Sequence, residues 1–210
     1  MNYLCIEGRI VTMSKNLEHR VAELEKEVAA LKSEKIKSLL KGLKLGDAFE
    51  LGGIEWRILD ITNNGYICQT TECWKESVRF DSGCNNWKSS NLRNLLNTEF
   101  YNMVAAGIGA DNIIEFERDL LSLDGQTEYG KCKDKVSIIS VDEYRKYRKL
   151  IQNSDKWFWT LTPYSTSCND DSRWLAVVSP SGDVSNDSCN GSTGVRPLCI
   201  FSSAIFESED

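Results

Sequence analysis

Leu17, Val21, Leu24, Val28 and Leu31 follow one another at alternating spacings of four and three. That spacing leaves residues 14–40 little choice: they form a helix whose apolar seam must be covered. With Val21 and Val28 at position a, Arg20 and Glu27 fall at g, and Glu25 and Lys32 fall at e. A parallel, in-register assembly then sets Arg20 against Glu25 and Glu27 against Lys32 across chains, and both pairs attract. Pattern and charge agree on a parallel homo-oligomer held by Leu17, Arg20, Val21, Leu24, Glu25, Val28 and Leu31. Valine at a with leucine at d leans toward dimers. The run Arg20-Val-Ala-Glu-Leu-Glu25 instead matches the short Arg-apolar-x-x-apolar-Glu signature of three-stranded coiled coils, so a trimer is favoured over a dimer. The alternative is a single amphipathic helix packed on its own domain. Ser14 or Asn16 is expected to cap the start. Past Leu31 the seam loses register: Lys35 and Ser38 fall on it, while Ile36, Leu39, Leu40 and Leu43 make a second stripe expected to pack on the rest of the chain. Gly42 and Gly46 end the helix.

The pattern divides the chain into residues 1–13 (a short segment, read as a strand), the helix of 14–43, a globular domain of 44–203 and a tail of 204–210. Strands are expected at Ala48–Leu51, Ile54–Ile61 and Tyr66–Thr71, turning at Gly52-Gly53 and Asn63-Asn64-Gly65. Leu92, Leu95, Leu96, Phe100 and Met103 recur at helical spacing, giving a helix over Ser89–Ala106. Val136–Ile139 reads as a strand, followed by a helix from Ser140 or Asp142 to Leu150. Trp157–Leu161, Trp174–Ser179, Asp183–Val184 and Val195–Phe201 complete the strands of an α+β domain.

The chain of 210 residues carries a formal charge of −6 and a pI near 5.0. An acidic balance argues against a nucleic-acid grip, which needs a basic face, and no apolar run is long enough to insert into a membrane. The start, MNYLCIEGRIVTMSK, lacks the basic and apolar regions of a secretory signal. The expected location is therefore the cytoplasm before assembly, or a virus particle. Cysteines at 5, 68, 73, 84, 132, 168, 189 and 199 form no C-x-x-C pair, which disfavours zinc. They read as small buried hydrophobes in a reduced protein. Cys168 and Cys189 differ, since each lies in a polar run, and a disulfide between them is one open possibility.

Those runs are Tyr164–Ser172 and Ser185–Thr193. From Thr160 to Cys199 there is no Lys, Glu, Gln or Met, where roughly six would be expected from ordinary composition. Small polar and aromatic side chains on loops held by strands make an adaptable contact surface. Ordinary turns favour the same residues, so composition alone leaves both readings open.

Catalytic devices are hard to find. The one histidine, His19, lies on the heptad helix facing away from the seam, so Ser–His–Asp and Cys–His arrangements are excluded from the globular domain. Glycine-rich phosphate loops are absent. Asp170, Asp171, Asp183 and Asp187 are conceivable calcium ligands, but Asp-rich surface loops usually bind no metal, and neither metal nor cofactor is expected. Arg196, in the apolar stretch GVRPLCI, reads as a buried, paired structural arginine rather than a substrate anchor.

Gly46-Asp47 with Gly52-Gly-Ile-Glu-Trp-Arg-Ile-Leu-Asp60, then Ser90-Asn-Leu-Arg-Asn-Leu-Leu-Asn-Thr-Glu-Phe-Tyr-Asn102, Trp157–Pro163 and Gly194-Val-Arg-Pro197, together resemble a bacterial and phage family of domains of unknown function, number 6273. The resemblance spans about residues 44–201. It implies a C-type-lectin-like α+β domain of the formylglycine-generating-enzyme branch, with irregular loops on one face. Some members resemble the variable proteins of diversity-generating retroelements, in which adenine randomisation rewrites Asn codons without ever producing Lys, Glu, Gln, Met or Trp. The missing residue types of Thr160–Cys199 fit such a process, with Trp174 and the apolar residues after it as fixed scaffold. Carried over, the ligand-binding positions are Tyr164, Thr166, Ser167, Asn169, Asp171 and Arg173 in the first run, with Trp174 as a rigid anchor. In the second they are Ser185, Asn186, Asp187, Ser188, Asn190, Ser192 and Thr193. The cysteine pair of formylglycine-generating enzymes and the Glu-Pro-Asn and Gln-Pro-Asp triplets of calcium lectins are missing. The implied function is thus non-enzymatic recognition of a macromolecular surface ligand, protein or glycan, made multivalent by the coiled coil. A constant structural or adhesion module with one fixed partner, such as a phage tail-fibre part, is the alternative.

Overall fold

The computed structural model describes residues 3–207, with side chains from residue 15 onward. Residues 1–2 of the expected N-terminal segment and 208–210 of the expected tail lie outside the described residues. Helix α1 (Tyr3–Leu40) is uninterrupted, which overturns two expectations. Residues 3–13 are helical rather than a strand, and Ser14 and Asn16 lie inside the helix instead of capping it. No proline interrupts this stretch, and Gly8 costs only about 1 kcal/mol against alanine. Once the heptads have paid for nucleation, the helix propagates through it. At the other end Gly42 takes φ +81°, where a side chain would be strained.

Among the described residues, thirteen strands and three further α-helices follow. The strands are β1 (Ala48–Leu51), β2 (Ile54–Thr62), β3 (Gly65–Thr70) and β4 (Lys75–Arg79). Helices α2 (Asn91–Leu95) and α3 (Tyr101–Ile108) are joined by one π-helical stretch, Leu96–Phe100. Then come β5 (Ile113–Ile114), β6 (Phe116–Asp119), β7 (Lys131–Asp134), β8 (Val136–Ile138) and helix α4 (Val141–Tyr147). The last strands are β9 (Phe158–Pro163), β10 (Trp174–Val178), β11 (Val184–Ser188), β12 (Ser192–Val195) and β13 (Pro197–Phe201). The body is thus a mixture of helix and sheet with a sandwich-like arrangement.

One sheet runs β1-β2-β3-β13-β5, with β8 also pairing β13; the other runs β11-β10-β9-β12-β4. Strands β6 and β7 pair only with each other. Val195–Phe201, expected as one strand, is broken at Arg196, where the chain leaves one sheet for the other. The Arg196 guanidinium is buried and donates to the Thr70 carbonyl through Nε and Nη2 (3.0 and 2.9 Å) and to the Gln152 carbonyl (3.2 Å). It also lies 5.0 Å over the Phe158 ring. Its partners are carbonyls, so the residue fastens the two sheets at their crossing.

Strands β4, β6 and β7 are absent from the sequence reading because KESVR, FERD and KCKD carry charge at most positions. Such sequences suit sheet edges, where polar side chains discourage further pairing. The core is aromatic: Trp56 meets Phe201 and Phe100 (4.9 and 5.9 Å), and Phe80 bridges Trp87 and Trp159 (5.8 Å each). Of the second stripe on α1, Leu40 is buried and Ile36 and Leu43 pack on this core, whereas Leu39 is exposed. The body also runs past residue 203: Phe206 is buried and stacks on Tyr66 at 3.9 Å. Ser140 caps α4 through a reciprocal arrangement with Glu143.

Candidate functional site

The two polar runs sit at one end of the second sheet, and different forces hold them. The first leaves β9, turns through Ser167–Asn169 and re-enters at β10. Its turn is tied down by side chains from far away in sequence. Asn85 is fully buried; its Nδ2 donates to the Ser165 and Trp174 carbonyls (3.0 and 2.9 Å), and its Oδ1 accepts from the Tyr129 hydroxyl (2.7 Å). The backbone N–H of Asn85 donates to the Ser172 carbonyl at 2.7 Å. Burial pushes the Tyr129 phenol up to about 12.

Two carboxylates of the loop between β6 and β7 complete the tether. Asp124 accepts from the hydroxyls of Ser122 and Ser165 and from Asn169 Nδ2 (2.9 Å). These donors, Ser122 foremost, hold its carboxyl down to about 2. Glu128 accepts from Ser167 Oγ (2.9 Å) and from the Cys168 N–H (2.9 Å). Bonds from Cys168 and Ser167 lower its carboxyl below the ordinary range. Glu128 in turn pushes the exposed Cys168 thiol up, the reverse of what activates a thiol nucleophile.

The second run was expected to be a loop, yet most of it is strand. Ser185–Ser188 belong to β11, which pairs with β10 in register: Trp174 opposite Ser188, Ala176 opposite Asn186, Val177 opposite Ser185. Ser192 and Thr193 begin β12, and only Cys189–Gly191 turns between them. Arg79 Nε donates to the Asn190 carbonyl (3.1 Å) and Asp81 N–H to the Cys189 carbonyl (2.9 Å), anchoring that turn to β4. Polar residues on an edge strand resemble loop residues in sequence, because neither face is fully buried.

This geometry sorts the candidates. Tyr164, Ser167, Asn169, Arg173, Trp174, Ser185, Asn186, Asn190 and Ser192 are exposed, and Asp171, Asp187 and Ser188 are half-buried. Thr166 and Thr193 are buried, so neither offers a contact surface. The Thr166 hydroxyl is buried without a hydrogen-bond partner among the described residues, and Thr193 pairs with Val78 inside the sheet. The Tyr164 N–H donates to the Trp174 carbonyl at 2.9 Å, making these two exposed aromatics cross-strand neighbours. Side chains alternate along a strand, so Trp174, Asn186 and Ser188 share one side of the sheet while Ser185 and Asp187 turn to the other. Asp187 accepts from the Ser188 N–H (2.7 Å), and a Cβ on Gly191 would meet its carboxylate at 2.8 Å. Asp187 therefore shapes its own turn.

Cys168 and Cys189 are both free thiols, the former exposed and the latter buried in the core. They are not bridged, because Cys189 points under the sheet while Cys168 rides the outer turn. Among the described residues no group of three or more His, Cys, Asp or Glu is placed to hold a metal ion. Asp183 accepts from Ser181 Oγ (2.7 Å) in its own turn. His19 is exposed on α1, 3.5 Å from Glu23.

Compared with family models, curated proteins and solved structures, the chain matches none. The site must therefore be read from its own chemistry. Asn85, Asp124, Glu128 and Tyr129, none of them singled out by sequence, organise the first run. The Asp124-Gly125 dipeptide is a recognisable turn signal, but its partners lie on other elements. Among the described residues no helix is long and apolar enough to cross a membrane.

Proposed function

We infer that this chain is a non-enzymatic recognition protein whose contact face is centred on Tyr164, Trp174, Asn186 and Ser188. The observation that carries the reading is the pair of exposed aromatics, side by side on a sheet whose opposite side is packed core. Large, rigid aromatics surrounded by small polar groups supply contact area at low entropic cost. The fold we assign is C-type-lectin-like, and the resemblance to retroelement-diversified variable proteins supplies the reason for the biased composition of residues 160–199. The ligand is a macromolecular surface, protein or glycan, and α1 makes a parallel homo-oligomer, a trimer before a dimer. Several weak faces acting together gain avidity of roughly 10²–10⁴.

One observation favours a constant adhesion module instead. Ser165, Ser167 and Asn169 are bonded to Asp124 and Glu128, and a surface tied in this way is poorly suited to replacement. Sequencing the gene codon by codon across a population of its source separates the two readings. Diversity at adenine-derived codons of exposed positions, with Thr166 and Thr193 constant, is the expected result. Uniform codons throughout residues 160–200 would leave the adhesion module.

A further inference from the structure

We propose that a second copy of this chain lays its α1 in the groove between α1 and the last turn of α3, so that the body as well as the helix belongs to the assembly interface. The proposal rests on the reading of α1 as a parallel stalk and adds to it a specific wall of the globular domain.

Leu17, Val21, Leu24, Val28 and Leu31 are between 45% and 66% exposed, so the chain's own body does not cover the seam. The groove beside it measures about 590 Å³. One wall is Val21, Glu25, Val28 and Lys32; the other includes Ala106 and Gly107 at the end of α3. The helical wall is thus the a–e flank of the heptad, while the g residues Arg20 and Glu27 do not line the groove.

That asymmetry selects the occupant. In a parallel coiled coil the e flank of one helix meets the g residues of its neighbour. Seated in the groove, a second copy brings its Arg20 to Glu25 and its Glu27 to Lys32, pairing opposite charges. Glu25, Glu27 and Lys32 have no ion-pair partner within the chain among the described residues. The opposite wall has little side chain to offer: Ala106 and Gly107 are exposed and small, which lets a helix approach closely. A body held against the neighbouring helix takes a fixed attitude on the stalk, and this in turn fixes how the faces around Trp174 are presented together.

The test is sedimentation of the full chain carrying Ala106→Glu, with Asn102→Glu on the exposed surface of α3 as control and circular dichroism to verify folding. Ala106→Glu should raise the dissociation constant at least about tenfold, and Asn102→Glu should leave it unchanged. Lys32→Glu should weaken assembly, and adding Glu27→Lys should restore it. Assembly that resists Ala106→Glu yet is lost in Val28→Asn would overturn the groove contact and leave the stalk standing. A wild-type chain that stays monomeric at high micromolar concentration would overturn both.

Discussion

Replacing Asn85 tests whether the face around Trp174 is held by buried polar bonds. Asn85→Ala removes two donors and one acceptor from a fully buried position. The Trp174 carbonyl keeps a partner in the Tyr164 N–H, at 2.9 Å. The Ser165 carbonyl and the Tyr129 hydroxyl lose theirs, apart from a long contact of the hydroxyl to Cys84 Sγ at 4.0 Å. Two orphaned buried groups cost roughly 1–3 kcal/mol each. Water entering the vacated space offsets part of this, leaving about 3 kcal/mol. For a chain of this size that lowers the midpoint of thermal unfolding by about 6–12 °C. Amide exchange should also accelerate across residues 164–172, whose anchors are lost, before it does in β3 or β13. Asn85→Asp keeps the volume and the acceptor but cannot donate, and it brings a charge into a dry site. It should therefore be at least as damaging at neutral pH. An Asn85→Ala chain melting within about 2 °C of wild type, or an Asn85→Asp chain milder than the alanine variant, would refute the argument.

Other consequences follow from the same geometry. A Cβ on Gly194 would collide with Cys73 Sγ and lie 2.7 Å from the Trp157 carbonyl. Gly194→Ala should therefore destabilise by about 1–3 kcal/mol in urea unfolding, the usual cost of overpacking, and an unchanged midpoint would contradict the crossing of β12 against β9. Hydrogen bonds from Ser122, Ser165 and Asn169 hold the Asp124 carboxyl down to about 2, below the ordinary carboxylate range. Its contribution is fully present above the unfolded value and lost as pH falls through the folded one, so wild type should lose stability more steeply between pH 4 and 2 than Asp124→Asn; parallel pH profiles would remove Asp124 from the tether. The Cys168 thiol is raised by the neighbouring Glu128. Glu128→Gln should therefore speed its alkylation near pH 8, and an unchanged rate would mean that the carboxylate does not face the thiol.

The first three strands were legible because apolar alternation is bracketed by Gly52-Gly53 and Asn63-Asn64-Gly65, turns that only a hairpin needs. The helix from Asn91 to Ile108 was legible from its apolar spacing, but not its π-helical stretch. Within that stretch Asn97 reaches out of the helix, with Nδ2 on the Val136 carbonyl (2.8 Å) and Oδ1 accepting from Val136 N–H (3.1 Å), contacts to a residue far away in sequence. The charged strands were illegible because each is stabilised by one neighbour at an edge, leaving no apolar signature. Within the site, the aromatics and the small polar residues could be read from composition. Which of them face solvent could not, since Thr166 and Ser167 are adjacent and chemically alike. Thr166 is buried, whereas Ser167 is exposed and held by the distant Glu128.

The two runs consequently differ in how freely their side chains can change. In the first, the fold depends on the side chains themselves: Ser165 and Asn169 donate to Asp124, and Ser167 donates to Glu128. In β11 the position of each residue is set by backbone pairing with β10, which does not depend on what Asn186 carries beyond its Cβ. Surface substitutions free of such ties usually stay within about ±0.5 kcal/mol, whereas each lost charge-assisted bond in the first run loosens the turn that carries Tyr164. A recognition surface that varies at all would therefore vary most cheaply along β11, beside a constant Trp174. In the tethered turn, changes at the exposed Ser167 and Asn169 would come with a loss of bonds that shape the turn itself.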